Sequence, residues 1–383
     1  MKSLAQEVAA VMGGLFPKGA NLHEPSFKGH EWDYVKECLD TGWVSSVGKF
    51  VDRFEADLAA YTGVKRAVVV ANGTAALQIC LKLAGVEAKD EVLMPALTFV
   101  ATANAAAYLG AVPHFVDCDE ASMGLDPVKL EDYLKSIGKI QAGALINTRT
   151  GRKIKALMPM HTFGHPVDLD PLVEICNRYH LTLIEDAAES LGSFYKGRHT
   201  GNWGKVSALS FNGNKIVTTG GGGAILTNDE ALGKLAKHLT TTAKVPHRWD
   251  FFHDQLGYNY RMPNLNAALG CAQLEQLPRF IEKKRALHDR YVKAFSALKG
   301  LKVFSELSYG KSNYWLNALV LEKESAFERD AILAHCHERS IMARPAWILM
   351  NELPMYKDCP KMDLSESVSL LSRIVSIPSS EFL

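Results

Sequence analysis

Residues 181–228 read LTLIEDAAESLGSFYKGRHTGNWGKVSALSFNGNKIVTTGGGGAILTN. Three short β-rich runs are embedded in this stretch: LTLIED (181–186), VSALSF (206–211) and AILTN (224–228). Near-continuous apolar runs of this length suit strands covered on both faces. The first run ends on acids, and the second on a Gly-containing turn that presents Lys215. Ligands of open α/β sheets bind at the carboxyl ends of the strands, so these two strand ends decide where to look for a site.

Working outward, four more runs precede them: RAVVVA (66–71), EVLMP (91–95), VPHFVD (112–117) and KALMPM (155–160). Helical stretches such as TAALQICLKLAG and PVDLDPLVEICNRY lie between most of them. Alternation of strand and helix predicts an α/β domain on a mostly parallel, seven-stranded sheet. Arg149-Thr150-Gly151, between GALINT and KIKALM, predicts a hairpin inserted into that scheme. After Met262 the character changes. A helix is expected from near Pro263 to Pro278 and a second toward Lys299, then antiparallel strands in VFSELSYGKSNYWLNALVLE, then helix and loop. The N-terminal MKSLAQEVAAVMGGLF sets Leu4, Val8, Val11, Met12 and Leu15 at helical spacing, and Glu7 interrupts any signal-peptide core. The expected parts are a docking helix and arm (1–25), a large α/β domain (26–259) and a smaller C-terminal α+β lobe (260–383).

At 383 residues the chain exceeds what one core supports, in keeping with two lobes. Forty-three Lys and Arg against 42 Asp and Glu give a net charge of +1, no electrostatic reason to expect nucleic acid or an anionic membrane as partner. No apolar run reaches the length of a membrane span. The 7 cysteines are scattered and lack a CxxC pair, as expected of reduced thiols in a cytoplasmic protein. His335-Cys336-His337 is the one tight group of metal-capable side chains. On a helix its members point to different faces, so no metal is expected there.

Four segments carry chemistry together. Ala71-Asn72-Gly73-Thr74-Ala75-Ala76 runs from a strand end into a helix start, whose free amides suit a phosphate; its plain reading is a turn with a cap. Leu183-Ile184-Glu185-Asp186-Ala187-Ala188-Glu189 puts acids at a strand's carboxyl end. There a protonated pyridine nitrogen would supply the cation a carboxylate needs, and the alternative is a helix-capping Asp186. Ser207 to Lys215 presents a lysine able to become a nucleophile toward an aldehyde and then a general base. A solvated surface charge is the alternative, and Lys205 is its nearest competitor. The glycines of Thr218-Thr219-Gly220-Gly221-Gly222-Gly223 fit neither the P-loop nor the GxGxxG spacing, and suit close backbone packing against the neighbouring loop.

In order and spacing these segments resemble the sugar aminotransferases of the DegT/DnrJ/EryC1 family. The resemblance extends from His23-Glu24-Pro25 through Gly42-Trp43-Val44-Ser45 to Arg344-Pro345-Ala346-Trp347, with DAAESLGSFYKGRHTG, SFNGNKIVTTGGGGAILTND and YNYRMPNLNAALGCAQLEQL as its most specific parts. It implies the type I pyridoxal-phosphate-dependent transferase fold of aspartate aminotransferase. Lys215 takes the Schiff-base position and Asp186 that of the aspartate on the pyridine nitrogen. Gly73, Thr74 and Ser210 match phosphate contacts, with Ala75 beside them. Phe99 matches the aromatic stacked on the ring; plain core packing is its alternative. Asn259 matches a residue reaching the phosphate from a partner subunit, which implies a homodimer with shared sites. Glu189 departs from the pattern, because many relatives carry Gln or His there, near the ring hydroxyl. A carboxylate beside a phenolate-like oxygen should repel it unless one of them is protonated.

The resemblance further implies glutamate as amino donor and a nucleotide-linked 4-keto-6-deoxy-N-acetylhexosamine as acceptor. UDP is expected before GDP as its carrier, and the product would serve bacterial surface glycans such as lipopolysaccharide or O-antigen. Trp43, Ser45, His247, Arg248, Arg344 and Trp347 are the candidates for the aromatic, polar and basic walls of a sugar-nucleotide groove. Alternatively these tryptophans seal the junction between lobes. Two rivals remain. In the related sugar dehydratases histidine replaces the Schiff-base lysine, and a catalytically silent cofactor-binding regulator would need no intact Lys215 and Asp186.

Overall fold

The protein is described by a computed structural model covering residues 2–383. Helices α1 (Leu4–Leu15), α2 (Glu31–Thr41) and α3 (Lys49–Thr62) precede the first strand. Then follow β1 (Arg66–Val70), α4 (Gly73–Leu83), β2 (Glu91–Pro95), α5 (Val100–Ala107), β3 (Val112–Val116) and α6 (Pro127–Ile137). A hairpin of β4 (Gly138–Gln141) and β5 (Ala144–Asn147) leads into β6 (Lys153–Leu157), α7 (Leu169–Tyr179) and β7 (Thr182–Asp186). The two-residue strands β8 (Phe194–Tyr195) and β9 (Arg198–His199) come before β10 (Val206–Ser210), β11 (Gly223–Thr227) and α8 (Glu230–Thr240).

The main path of the large sheet is β1-β11-β10-β7-β6-β2-β3. Neighbours from β10 through β7, β6 and β2 to β3 are parallel, while β11 is antiparallel to both β1 and β10. All seven strands read from the sequence are these. The hairpin around Thr150 forms as expected, with Leu145 paired to Ile154, and its second strand is β6 itself. Side chains of β1 show why both faces are apolar. Val68 and Val70 enter a core with α4 and α5, whereas Ala67 and Val69 enter one with α3.

The C-terminal part holds α9 (Asn264–Phe295), β12 (Leu301–Val303), β13 (Gly310–Lys311), β14 (Asn317–Leu321), α10 (Arg329–His337), β15 (Arg344–Pro345), α11 (Ser365–Leu371) and β16 (Ile374–Ile377). An antiparallel sheet of order β12-β14-β16-β15 is its centre. Two expectations need correction. The helix does not stop at Pro278: α9 runs 32 residues with that proline inside. A proline forfeits one hydrogen bond, but Leu274, Leu277 and Phe280 around it are buried in the core with α3, which holds the helix through the interruption. The tail is also not only helix and loop, because β16 is a buried strand inside the small sheet.

Helix α9 joins two cores. Its first half packs on α2 and α3, and its Leu287, Tyr291 and Phe295 enter the core of the small sheet with Val8 and Met12 of α1. His335, Cys336 and His337 diverge as their helical spacing requires. His335 bonds Glu338, His337 bonds the Ala343 carbonyl, and Cys336 is buried. No helix among the described residues is long and apolar enough to cross a membrane.

Candidate active site

Strand register gathers the chemical segments at one edge. Val70 pairs with Gly223 and Gly223 with Ser210, so the ends of β1 and β10 lie side by side around β11. Beyond β10, Ala208 pairs with Asp186 at the end of β7. Helix α4 starts directly over this edge, and two glycines allow it. A Cβ on Gly73 would lie 2.8 Å from Cβ of Ser210, and one on Gly223 would lie 2.6 Å from the Asn72 carbonyl. That close packing is the use of the glycine run, rather than a phosphate loop of its own. Asn72 caps α4 by accepting the Ala75 amide at 2.8 Å. Ala75 is therefore already engaged and buried, which removes it from the phosphate donors the sequence suggested. The first-turn amides of Gly73 and Thr74 have no intrahelical acceptor and stay available to an anion.

Asp186 is buried at the end of β7. Its Oδ2 accepts the Thr102 hydroxyl at 2.7 Å and its Oδ1 the Ala188 amide at 3.2 Å. Burial pushes this carboxyl up from its ordinary value, against the pull of those two donors and of the Lys215 charge. It makes no ion pair with any described residue. A buried carboxylate with only neutral donors in contact is stabilised by an incoming cation, and a protonated pyridine nitrogen is such a cation.

Lys215 lies in the loop that follows β10, at the same sheet edge. Its Nζ lies 3.1 Å from Oε1 of Glu189 and 3.8 Å from the ring centre of Trp315. Trp315 reaches the site from the segment before β14. Its indole donates to the Asn214 carbonyl at 2.7 Å, and its amide donates to Oδ1 of Asn313 at 2.8 Å. Asn313 in turn donates to the carbonyls of Glu189 and Leu191, both at 2.9 Å. Lys205, the competitor, leaves the sheet edge at the other end of β10 and bonds the Leu183 carbonyl through its amide.

Gly73, Thr74, Phe99, Asp186, Glu189, Ser210 and Lys215 all line one cavity of about 340 Å³. It opens past Phe99, Asn214, Trp315 and Trp347 into a groove of about 920 Å³, which Arg344 also lines. The other candidates lie elsewhere on this chain. Trp43 and Ser45 use their carbonyls to hold Asn264, at 2.7 and 2.6 Å, and the Trp43 ring is exposed. His247 and Arg248 sit on the exposed loop after α8, and Asn259 is exposed in a bridge to Thr241. Thr102, Met160, Asn212 and Trp315 were missed by sequence reading. Thr102 follows Phe99 by three residues on a helix start, a spacing that places both on one face. Nothing local marks Trp315, 100 residues beyond Lys215 in the chain.

A buried acceptor for a ring cation, a nearby lysine, and a helix N-terminus beside a serine together fit pyridoxal 5′-phosphate. They define the class as a pyridoxal-phosphate-dependent aminotransferase of the type I fold. The sequence profile of the DegT/DnrJ/EryC1/StrS aminotransferase family matches residues 25–383, and the chain belongs to that family. It is 38% identical over 337 residues to a GDP-perosamine synthase of Escherichia coli O157:H7, covering 88% of this chain and 87% of that one. To the putative pyridoxal phosphate-dependent aminotransferase EpsN of Bacillus subtilis (strain 168) it is 37% identical over 335 residues, 88% and 83% of the two chains. Among solved structures, the aminotransferase TlmJ from Streptoalloteichus hindustanus superposes with a TM-score of 0.85 at 27% identity, covering 95% of this chain and 94% of that one.

Proposed function

We propose that the enzyme transfers an amino group from glutamate to the 4-keto carbon of a nucleotide-linked 4-keto-6-deoxy-N-acetylhexosamine, in the synthesis of bacterial surface diamino sugars. The observation that carries this reading is the 340 Å³ cavity opening into a 920 Å³ groove, far more room than a keto acid needs. When bound, pyridoxal phosphate supplies an aldehyde that condenses with amines and a ring that accepts electrons. Gly73 and Thr74 amides with the Ser210 hydroxyl take its phosphate, Phe99 covers its ring, and Asp186 keeps its nitrogen protonated. Lys215 would hold and move the proton of the transfer at its Nζ.

Trp347 and Arg344 form the groove side of the site. The Trp347 ring packs on Phe163 with ring centres 5.2 Å apart, and on Phe99 at 6.4 Å, edge-on. Arg344 pairs with no acid of the described residues and is the cation for a diphosphate. UDP is the first expectation for the nucleotide. A GDP-linked acceptor is the second reading, favoured by the name of the E. coli relative. Retention of Lys215 argues against the dehydratase, and retention of both Lys215 and Asp186 argues against a silent regulator.

Homodimerisation completes the reading, with Asn259 and the neighbouring 247–248 loop serving the partner's site. Trp249, Phe251, Phe252 and Leu256 stand exposed near Asn259, and a patch of that kind is what a second copy would cover. A panel of UDP- and GDP-linked 4-keto sugars with glutamate, products read by mass and NMR, tests the substrate. The acetamido sugar nucleotide should exceed its 2-hydroxyl counterpart in kcat/KM by at least about tenfold, as a buried polar contact would require. Equal rates would remove the acetamido preference, and faster amination of oxaloacetate would remove the sugar class.

A further inference from the structure

The contacts of Lys215 raise a chemical difficulty. Its Nζ sits against a carboxylate at 3.1 Å and an aromatic face at 3.8 Å, and an amine that still carries its extra proton cannot attack a carbonyl carbon. The amine must therefore lose its proton inside a closed site, to a group already in contact with it. Glu189 is that group. Oε1 touches Lys215, while Oε2 is fixed by the Phe163 amide at 2.9 Å. The Glu189 carbonyl accepts from Asn313, which fixes its backbone beside Lys215, and the Phe163 amide holds the carboxyl itself.

We propose that Glu189 and Lys215 share a single proton, and that Glu189 accepts it whenever the lysine must react as a free amine. The transfer converts Lys215 ammonium and Glu189 carboxylate into a neutral amine and a carboxylic acid, with no net change in charge. The amine nitrogen then bonds to the cofactor's aldehyde carbon, and the aldehyde oxygen leaves as water. Sheet order supports the same placement. The phosphate-facing residues sit at the ends of β1 and β10, whereas Glu189 and Phe163 lie past β7 and β6, on the other side of Asp186. With the phosphate held on one side of the aldehyde, the ring hydroxyl would fall on the Glu189 side. A neutral carboxylic acid can donate to that oxygen where a carboxylate would repel it. Burial pushes the Glu189 carboxyl up to about 7, so the acid form is accessible.

Charged and titratable groups around the pair are few. Asp186 acts on Glu189 from β7 and His23 faces Lys215 from the N-terminal arm, while His161, bound to Glu185 at 3.0 Å after β6, acts on Asp186 rather than on the pair. Burial and the charges of Lys284 and Lys215 hold His23 well below its ordinary value, so it stays neutral near pH 7.

This proposal rests on Lys215 being the residue that takes the aldehyde. The test follows capture of pyridoxal 5′-phosphate by the apoenzyme, through its visible absorbance, between pH 7 and about 8. In the wild type the shared proton fixes the fraction of free amine, so the capture rate should change by less than about twofold. In Glu189→Gln, which keeps the Phe163 bond but holds no exchangeable charge, the rate should climb about tenfold over that unit, as for an isolated amine. Binding of pyridoxamine 5′-phosphate, which lacks the aldehyde, checks that the variant keeps its cavity. A wild-type rate that itself climbs tenfold overturns the proposal whether or not the variant folds, and so do equal slopes in the two proteins. Lys215→Ala separates the two readings: capture persisting in that variant would refute the attachment residue rather than the proton sharing.

Discussion

Asp186 and Lys215 line the same cavity, and the proposed function gives them opposite tasks, one to hold a proton on a ring nitrogen and the other to release one. Lys215→Ala should abolish the visible absorbance of the bound cofactor and lower turnover by about 10²–10⁴-fold or more, with the fold intact. Absorbance and circular dichroism check this, and a retained band would move the attachment elsewhere. Asp186→Asn should keep the cofactor but slow turnover by about 10²-fold or more, because an amide cannot hold the ring nitrogen protonated. Cofactor loss with full turnover after reconstitution would reduce Asp186 to an anchor. At this scale the sequence is informative where chemistry sits next to a strand end. That Gly73, Asp186, Ser210 and Lys215 meet at one sheet edge was legible because each closes or follows a strand of the sheet. The engagement of Ala75 was not, since the Asn72 side chain takes its amide only once the helix start has folded. Trp315 was not, since its contact with Lys215 depends on how a distant segment folds back.

Two elements set the precision of the site. Helix α4 can start against β10 and β11 because Gly73 and Gly223 lack side chains. In Gly223→Ala the new Cβ would lie 2.6 Å from the Asn72 carbonyl and displace the start of α4. Cofactor affinity should fall at least about tenfold, the equivalent of ~1.4 kcal/mol, while the sheet persists; titration of the apoenzyme measures it. Unchanged affinity would mean that α4 does not hold the phosphate. Helix α9 carries the second constraint. Its Lys284 is buried, donating to the Trp315 carbonyl at 3.1 Å and to the Ser379 carbonyl. Burial pushes this amine down to about 7. The unfolded chain, with a lysine near its ordinary value of about 10.4, binds the extra proton between those limits. Stability from this group therefore rises with pH from about 7 upward. Lys284→Met should cost ~1–3 kcal/mol for each carbonyl left unpaired. It should also remove the gain between pH 7 and 9, read as the shift in urea midpoint; an unchanged pH dependence would contradict the assignment. Strand and hairpin positions were readable from periodicity, whereas α9 was misread at Pro278. Local rules treat a proline as a stop, and only burial of its neighbours shows why the helix continues.

At the scale of the molecule, one sheet edge and one groove form the working surface, and α9 runs from the core beneath that edge to the core of the small sheet. The change of pattern after Met262 coincides with the start of α9 and with the separate antiparallel sheet that follows it. The exposed aromatic residues near Asn259 were invisible to sequence reading, because exposure is a property of the assembled surface. If a second copy covers them, Asn259→Ala alone should be nearly inactive, and mixing it with Lys215→Ala should restore activity. Trans completion places both lesions in one site and leaves the other whole. No recovery, or a fully active monomer, would contradict the shared site. The most direct measurement concerns the bond on which the whole scheme depends. The enzyme loaded with pyridoxal 5′-phosphate can be reduced with borohydride, digested, and its peptides weighed and sequenced. The expected result is the reduced cofactor on Lys215 and on no other lysine. Its appearance on Lys205 or Lys284, or on none, would contradict the assignment of the active site.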